Sequence, residues 1–457
     1  MSYLPRMKLA TLLLLAPFAA LAQTKPAPLL PPADPRIQKL VDEISAKNLE
    51  ADIRKLVSFG TRHTLSDTKS PPRGIGAARN YVRDEFLKYS KANGGRLMVE
   101  MDTFTVKPDG RRINQPVLMA NVLATLPGTD PTDTRIILVS GHIDSRVSDV
   151  MNATADAPGA NDDGSGTVLV MELARVLAGQ KFPCTLKFVA VQGEEQGLYG
   201  SGHLAERAKK ENWNLVGMLN NDIVGNSHGF DPVINDATQV RVFSEGVPEN
   251  ETPEQVKTRR QLSSENDAPS RLLARYIQRT ALLYGKGHKV TLAYRPDRFL
   301  RGGDHTPFNQ QGFAAVRFTE MNEDYTHQHQ DLRTEKGRPY GDVIEGMDFA
   351  YLRRNAGINL ATMASLALAP AAPAKVEVLT ANLTNRTELR WQAPAGPKPA
   401  GYVVLVRETS APQWQQRFPV SGLTADFPIS KDNFIFGVVS VDAAGHESVA
   451  VLPVVGR

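Results

Sequence analysis

Residues 135–145 read Arg-Ile-Ile-Leu-Val-Ser-Gly-His-Ile-Asp-Ser, an apolar run that ends in a histidine and an aspartate. The run is short and β-branched, which predicts a strand over 135–140. Similar runs predict strands over 97–106, 120–126, 185–192 and 215–220. Segments 168–177 and 198–208 have helical composition and lie between later strands. This alternation predicts an α/β fold, a three-layer α/β/α sandwich with a mixed, largely parallel central sheet.

Histidine and acidic residues follow several of these predicted strands. His142 comes at the end of the first run, and Asp222 follows the run at 215–220. Glu194 and Glu195 emerge together after another, and adjacent residues point in different directions, so that one can bind a metal while the other faces a substrate. Functional groups in such sheets gather just past the carboxyl ends of the strands. We therefore expect these side chains to lie close together.

A glycine-rich turn contributes a further pair of acids. Residues 158–166 read Pro-Gly-Ala-Asn-Asp-Asp-Gly-Ser-Gly, directly before an apolar segment with helical composition. Glycine permits positive φ, which can bring a carboxylate close to a metal without steric conflict. Capping of the following helix is a plausible role for Asp163 or Ser165, because Asp and Ser are favoured N-caps. For Asp162 we favour a metal-bridging role.

The combined inventory fits a site for two zinc ions. Imidazole and carboxylate are zinc ligands, and two metals about 3.5 Å apart need one carboxylate between them and further ligands at each end. Asp144 lies two residues after His142, on the same side of the strand end, and is a candidate to orient its ring. The segment 325–331 adds His327 and His329, either of which can complete the set.

Each cluster also has an ordinary explanation when it is taken alone. A His-x-Asp at a strand end is often a structural pair, and an acidic pair after a strand is often a solvated turn. A capping role is equally ordinary for Asp222. The order and number of the clusters, rather than any single one, favour a metal site.

Together the motifs resemble the M28 family of zinc peptidases over about residues 36–367. The matching sequence motifs are Ser-Gly-His-Ile-Asp-Ser, Pro-Gly-Ala-Asn-Asp-Asp-Gly-Ser-Gly, Glu-Glu-Gln-Gly-Leu-Tyr-Gly-Ser and Asn-Asn-Asp. The resemblance implies that His142 and Asp222 bind one zinc, that Glu195 and His327 bind a second, and that Asp162 bridges both. It implies Glu194 as the general base, with Asp144 as the residue that orients His142. The peptide between Asp162 and Asp163 is often cis in this family.

The resemblance also bears on the choice of the last ligand and on the segment 301–308. The family's last ligand is usually a histidine four residues before an aspartate, which selects His327 over His329 because Asp331 follows at that spacing. The segment 301–308 is similar to the family's Ser-Asp-His segment, although glycine replaces the serine. Asp304 and His305 are therefore expected either near the metals or facing the substrate, with a structural loop as the alternative. Asp163 and His329 are likewise expected either near the metals or facing the substrate.

The activity implied is that of an exported metallo-exopeptidase with peptide substrates. The resemblance implies release of N-terminal amino acids through a zinc-bridging hydroxide, with Glu194 moving the proton. Carboxypeptidases and dipeptidases of the family use a nearly identical metal set and stay open as alternatives. A catalytically idle receptor or adhesion domain is a further alternative, although Glu194 and the ligands are all present. Glutaminyl cyclases share the fold but bind a single zinc, and the complete ligand pairs argue against them.

The whole chain has 457 residues, too many for one core, and a formal charge of +4. Its small charge and lack of long basic runs give no indication of nucleic-acid binding. Residues 1–22 have the layout of a secretory signal peptide, which predicts a periplasmic or secreted protein with no membrane span after cleavage. An uncleaved N-terminal anchor or a buried helix is the alternative.

The single cysteine, Cys184, is expected to be a buried thiol.

The predicted domain organisation has five parts. They are a signal peptide at 1–22, a flexible lead-in at 23–35, the di-zinc peptidase domain at 36–367, a Pro/Ala linker at 368–374 and a β-sandwich at 375–457. The last part resembles a fibronectin type III domain, with Trp391 early, a Gly-Tyr-Val-Val-Leu-Val strand and a later Phe-Gly-Val-Val-Ser-Val-Asp segment. It carries no constellation for chemistry, and we expect it to bind an unidentified protein or polysaccharide.

Overall fold

The computed structural model describes residues 26–456, and the predicted signal peptide lies outside them. The helices are α1 (Pro35–Asp42), α2 (Ala46–Val57), α3 (Ile75–Ala92), α4 (Gly164–Leu177), α5 (Tyr199–Lys210), α6 (Pro253–Gln261), α7 (Pro269–Tyr284), α8 (His305–Gln310) and α9 (Phe349–Leu368). The strands before α9 are β1 (Met98–Val106), β2 (Val117–Leu126), β3 (Arg135–His142), β4 (Thr185–Val191), β5 (Asn214–Asn221), β6 (Gln239–Phe243), β7 (Lys289–Ala293), β8 (Ala315–Glu320), β9 (Arg333–Glu335) and β10 (Arg338–Tyr340). The later strands are β11 (Ala374–Leu379), β12 (Thr387–Gln392), β13 (Gly401–Glu408), β14 (Gln416–Val420), β15 (Thr424–Phe427), β16 (Phe434–Val441) and β17 (Val454–Gly456).

An eight-stranded sheet forms the centre of the molecule, in the order β1-β2-β4-β3-β5-β8-β6-β7. Strands β4, β3, β5 and β8 run parallel to one another, whereas the β1–β2, β2–β4 and β6–β8 pairs are antiparallel. The predicted α/β fold with a mixed, largely parallel sheet is therefore confirmed. The four parallel strands end at one edge of the sheet, where the loops that follow β3, β4 and β5 converge.

Helices cover both faces of this sheet because successive residues of a buried strand point to opposite sides. In β3, Ile137 and Val139 enter a large core shared with α1, α2, α3, α4, α7 and α9. Leu138, between them, enters a smaller core with residues of α5 and α8. Since both faces of β3 are apolar, the strand has a continuous hydrophobic sequence, as expected of a central parallel strand.

Residues 226–266 are polar and have no sustained hydrophobic period, so their sequence pattern predicts a surface excursion rather than a strand of the sheet. This region instead contains β6, which pairs with β8 and β7 inside the central sheet. Val240 and Val242 of this strand are fully buried. The strand has only five residues, of which three are buried, and so short a pattern cannot be distinguished from a loop by periodicity.

Two small sheets follow α9. One contains β15, β12, β11 and β17, and the other contains β14, β13 and β16. Between them, Trp391 is buried and packs edge-to-face on Tyr402, with ring centroids 5.5 Å apart. An α/β part followed by a separate β part agrees with the predicted fold class.

Two further sequence expectations can be compared with the described residues. Cys184 is a free, buried thiol, and burial raises its pKa to about 12, as expected of a structural cysteine. Among residues 26–456, no helix is both long enough and apolar enough to cross a membrane.

Candidate metal centre

The convergent strand ends bring together three of the predicted ligands. His142 is the last residue of β3, Asp222 directly follows β5, and Glu195 lies in the turn after β4. All three are at least 95% buried. The register of parallel strands β4, β3 and β5 places these turns side by side, as the strand-end rule predicts.

Asp162 lies between two histidines and presents one carboxylate oxygen to each. Its Oδ1 is 3.2 Å from Nε2 of His142, and its Oδ2 is 2.9 Å from Nε2 of His329. His142, Asp162 and Asp222 form one group of convergent donor atoms, which we call the inner trio. Asp162, Glu195 and His329 form a second, the outer trio. A carboxylate shared in this way has the arrangement of a bridging ligand.

His329 rather than His327 occupies the outer trio, so the predicted choice of histidine differs from the structure. Nε2 of His329 is 3.0 Å from Oε1 of Glu195. His327 lies instead against Gly346, and its Nε2 is 3.9 Å from Asp324. His329 has a φ of 56°, a left-handed conformation that redirects the loop. The four-residue spacing to Asp331 was therefore misleading, and Asp331 accepts a hydrogen bond from Ser148 Oγ.

Asp144 acts on the site in two ways. Its main-chain carbonyl lies 3.0 Å from Nδ1 of His142, closer than its carboxylate at 3.6 Å, so the carbonyl fixes the ring. Its carboxylate accepts the main-chain N–H groups of Glu194 and Glu195 and the hydroxyl of Thr64. Sequence reasoning expected the carboxylate to hold the histidine, whereas it mainly holds the turn after β4.

The other residues proposed from sequence have distinct positions. Asp163 caps α4 through Gly166 N–H and also accepts the N–H of His142, so it ties the two ligand-bearing segments together. The Asp162–Asp163 peptide is cis. Asp304 is fully buried, and burial together with Asp222 and Asp144 raises its pKa to about 7 against the opposing effect of His142. His305 has a structural contact, from Nε2 to the carbonyl of Pro296.

Three charged residues near the site were not anticipated. Asp342 accepts the main-chain N–H of Asp162 at 2.7 Å, and Arg317 Nη2 lies 2.9 Å from Oδ1 of Asp222. Arg146 Nε lies 2.9 Å from Oε2 of Glu195. Arg146 directly follows Gly-His-Ile-Asp-Ser and could have been noticed for that reason. Asp342 and Arg317 are far from the motifs in sequence, and no local pattern indicates them.

Comparison with known proteins agrees with this geometry. The model of peptidase family M28 matches residues 121–336, which contain both trios. A protein of Leptosphaeria maculans named probable zinc metalloprotease is 47% identical over 427 residues, covering 93% of this chain and 98% of the relative. A probable zinc metalloprotease of Pyricularia oryzae is 46% identical, covering 93% of this chain and 86% of the relative.

The chain belongs to peptidase family M28. Solved structures with a similar fold include the LapA aminopeptidase of Legionella pneumophila, with a TM-score of 0.52 and 19% identity over 76% of this chain and 78% of that one. An aminopeptidase of Aneurinibacillus sp. strain AM-1 has a TM-score of 0.51 and 16% identity, over 73% of this chain and 96% of that one. At such low sequence identities, the similarity to these two solved structures concerns the fold alone.

The donor atoms of the M28 chain fit zinc in chemistry and spacing. Ligand atoms 2.0–2.1 Å from a tetrahedral zinc lie about 3.3 Å from one another. The His142–Asp162 and His142–Asp222 separations are 3.2 and 3.8 Å, and those of His329 to Asp162 and Glu195 are 2.9 and 3.0 Å. Both trios therefore have approximately the span that one ion requires.

The electrostatic environment also favours cations. Burial alone would lower the pKa of His142, but the carboxylates of Glu194 and Asp163 raise it well above its usual value. Burial opposes protonation of His329 as well, yet Glu195 and Asp162 raise its pKa to about 10. Carboxylates that stabilise a proton on each histidine will also stabilise a divalent cation between them.

Proposed function

We propose that this M28 zinc metallopeptidase binds two zinc ions and removes residues from the N-terminus of peptides. The inner trio would hold one ion and the outer trio the second. The observation that carries the proposal is the position of Asp162, with one oxygen facing His142 and the other facing His329. Zinc so held supplies Lewis-acid polarisation of the scissile carbonyl and activation of water.

The position of Glu194 supports a role for this residue in moving the proton in this reaction. Its Oε2 lies 4.0 Å from Nε2 of His142, and its side chain is 13% exposed, so that it lies beside the inner trio and remains reachable. Burial, with Asp222 and Glu195, raises the pKa of Glu194 well above its usual value against the opposing effect of His142. A carboxylate with a raised pKa is a suitable base toward water and a suitable acid toward the leaving amine.

The preference for a free N-terminus rests on the negative charge around the site. Asp304 is buried near enough to Glu194 to influence its pKa, and it belongs to neither trio, so its carboxylate is not used to hold an ion. Such surroundings stabilise a substrate ammonium group. The fold is also that of proteins whose names describe aminopeptidases. Carboxypeptidase or dipeptidase activity of the same site is the alternative, and an idle receptor domain is disfavoured by the presence of Glu194.

The deciding experiment compares cleavage of three versions of one peptide by the purified chain lacking residues 1–22. The peptide has both ends free, its N-terminus blocked or its C-terminus blocked. We expect stepwise release from the N-terminus of the free and C-blocked peptides, loss of cleavage on N-blocking, and loss of all cleavage with a chelator. Cleavage that survives N-blocking but is lost on C-blocking would establish the carboxypeptidase alternative.

We further propose that the protein is exported and that residues 375–457 form a fibronectin type III-like domain that binds a partner outside the cytoplasm. Export rests on the charged, apolar and small-residue layout of residues 1–22. The N-terminal sequence of the chain recovered from the producing cells tests it. A chain that begins near Gln23 is expected, whereas an intact N-terminus would contradict cleavage.

A further inference from the structure

Arg301 lies in the loop between β7 and α8, and one residue, Gln328, connects its side chain to the shared carboxylate of the metal centre. Nη1 of Arg301 donates to Oε1 of Gln328, at 3.2 Å, and Nε2 of Gln328 donates to Oδ2 of Asp162, at 3.1 Å. Because two hydrogen bonds and one amide group separate them, Nη1 of Arg301 and Oδ2 of Asp162 lie within about 9 Å of each other. The guanidinium therefore borders the outer trio.

The main chain next to Arg301 is held from the other side of the site. The carbonyl of Gly302 accepts Nη1 of Arg317, at 3.1 Å, and Nη2 of Arg317 lies 2.9 Å from Oδ1 of Asp222 in the inner trio. Arg317 is fully buried, so this connection is shielded from solvent. The base of the loop is thus fixed beside the inner trio, while the side chain of Arg301 extends toward the outer one.

The charge of Arg301 is not neutralised by a neighbouring acid. Within residues 26–456, Arg301 is exposed, forms no ion pair, and has a side-chain partner only at Nη1. Arg298, in the same loop, differs in each respect: it is 10% exposed and pairs with Glu323 at 2.7 Å and with Asp297 at 3.3 Å. The N–H groups on Nε and Nη2 of Arg301 can therefore bind an anion that enters from solvent.

We infer that the guanidinium of Arg301 binds a carboxylate on one of the two residues that follow the scissile bond of the substrate. The inference rests on the proposed function, because the scissile bond is taken to lie at the two trios. An extended chain advances about 3.3 Å per residue, so two residues cover the distance from the shared carboxylate to Arg301. A guanidinium has only donors and matches a carboxylate in shape.

The charges around the site then give the substrate a direction. The buried carboxylate of Asp304, near Glu194, favours the N-terminal ammonium group. Arg301 repels an ammonium group and favours an acid further along the substrate. Peptides with a carboxylate on their second or third residue, either as a side chain or as the free C-terminus, are therefore the preferred substrate class.

The test measures binding rather than turnover. The Glu194→Gln chain, saturated with zinc, is titrated calorimetrically with alanyl-alanyl-alaninamide, which has no carboxylate. It is then titrated with alanyl-aspartyl-alaninamide, alanyl-alanyl-aspartic acid α-amide and alanyl-alanyl-alanine, which carry one carboxylate at the second residue, at the third and at the C-terminus. We expect at least one of these acids to bind about fivefold more tightly than the neutral peptide, the most that an exposed ion pair typically contributes. Alanyl-lysyl-alaninamide should bind more weakly than the neutral peptide.

Charge reversal identifies the residue responsible. In the Glu194→Gln background, Arg301→Gln should bind the acidic and neutral peptides alike, and Arg301→Glu should prefer the lysyl peptide to the acids. A purely structural role for Arg301 would not reverse the preference. Arg333→Glu is the matched control, because Arg333 is exposed on β9 and its Nη1 also contacts a glutamine, Gln330. This control should retain the preference for the acids.

Three outcomes would overturn the inference. They are no tighter binding of any acidic peptide than of the neutral one, a preference that persists in both Arg301 variants, and an equal loss of preference in the Arg333→Glu control. Failure of the proposed function gives a different result. In that case the unmodified chain releases no N-terminal residue, whereas the Glu194→Gln chain still shows a preference that depends on Arg301.

Discussion

Asp342 accepts the main-chain N–H of Asp162 through Oδ2, at 2.7 Å. It also accepts the N–H of Asn161, at 2.9 Å from its Oδ1. Asp342 is buried and lies in the loop before α9, about 180 residues along the chain from the residue it holds. It thus fixes the backbone from which the shared carboxylate extends.

Replacement of Asp342 by Ala should therefore weaken zinc binding without removing a ligand. Residues that orient metal ligands typically contribute 10-fold to 100-fold in metal affinity or activity, and we expect a loss of about tenfold or more. Zinc affinity is measured by competition with a chromophoric chelator. Asp348→Ala is the control, because Asp348 also accepts a main-chain N–H, that of Tyr351 at 2.9 Å, in the same part of the chain. Equal zinc affinity in the two variants would contradict the positioning role.

The two histidines of the loop before β9 should behave differently on substitution. His329→Ala removes a member of the outer trio and should lower the zinc content from two ions per chain to one, with loss of hydrolysis. His327→Ala should retain both ions, because His327 contacts neither Asp162 nor Glu195 among the described ion pairs. Elemental analysis after dialysis measures the content. If zinc were lost only on substitution of His327, this histidine would be the ligand, as its spacing to Asp331 predicts.

Glu194→Gln should separate proton transfer from metal binding. Gln has nearly the same shape but is not a base, and loss of a general base typically costs about 10²-fold to 10⁴-fold in rate. Zinc content should stay at two ions because Glu194 belongs to neither the inner nor the outer trio. Glu206→Gln, on the exposed side of α5, is the matched control and should have unchanged kcat. Unchanged turnover in the Glu194 variant would exclude it as the base.

Much of this site could be predicted from sequence because strand ends are recognisable. Short apolar runs located β3, β4 and β5, and the polar residues that follow them include His142, Glu195 and Asp222. Asp162 was recognised from its glycine-rich turn. These residues depend on local pattern and on the general geometry of parallel sheets, both of which are present in the sequence.

The residues that were missed depend on loop conformation and on distant contacts. His329 has a left-handed φ of 56°, which its residue type does not indicate in the sequence. The interaction of Arg317 with Asp222 joins a residue of β8 to the residue that directly follows the neighbouring strand β5, 95 positions away. Such pairings follow from the strand order, which the sequence pattern does not specify.

A buried acid distant from the motifs should make stability depend on pH. Burial, with Glu249 nearby, raises the pKa of Glu245 from 4.5 to about 7. Between about pH 4.5 and 7 the folded chain binds this proton more strongly than the unfolded chain. This contribution therefore stabilises the fold as pH falls through that window, and is lost as pH rises toward 7 and above.

Glu245→Gln should remove this dependence while keeping an acceptor for Ser270 Oγ. At pH 8 we expect the variant to be more stable than the parent by about 2 kcal/mol, and at pH 4.5 we expect no difference. Thermal unfolding at the two pH values measures this. Glu265→Gln, at an exposed position in the same region, should change neither value. If the variant and the parent were equally stable at both pH values, ionisation of Glu245 would not lower the free energy of unfolding, which would contradict the prediction.

A buried ion pair connects the C-terminal sheets to the rest of the molecule. Arg407 of β13 binds both carboxylate oxygens of Asp267, at 2.8 and 2.7 Å, and Asp267 also pairs with Arg275 of α7. The side chains of Arg407 and Asp267 are 3% and 0% exposed. Removal of one partner from a buried pair leaves the other charge partly uncompensated, which typically costs about 3–5 kcal/mol.

We therefore expect Arg407→Met to lower the free energy of unfolding by about 3 kcal/mol, at the low end of that range because Arg275 remains beside Asp267. Arg386→Met is the comparison, because Arg386 pairs with Asp426 at 2.8 Å on an exposed part of the same sheets. Exposed pairs contribute about 0–1 kcal/mol, so this variant should be nearly as stable as the parent. Urea unfolding measures both variants. Similar small losses in the two would mean that the C-terminal sheets are held by their apolar contacts, and that solvent reaches Asp267 once Arg407 is removed.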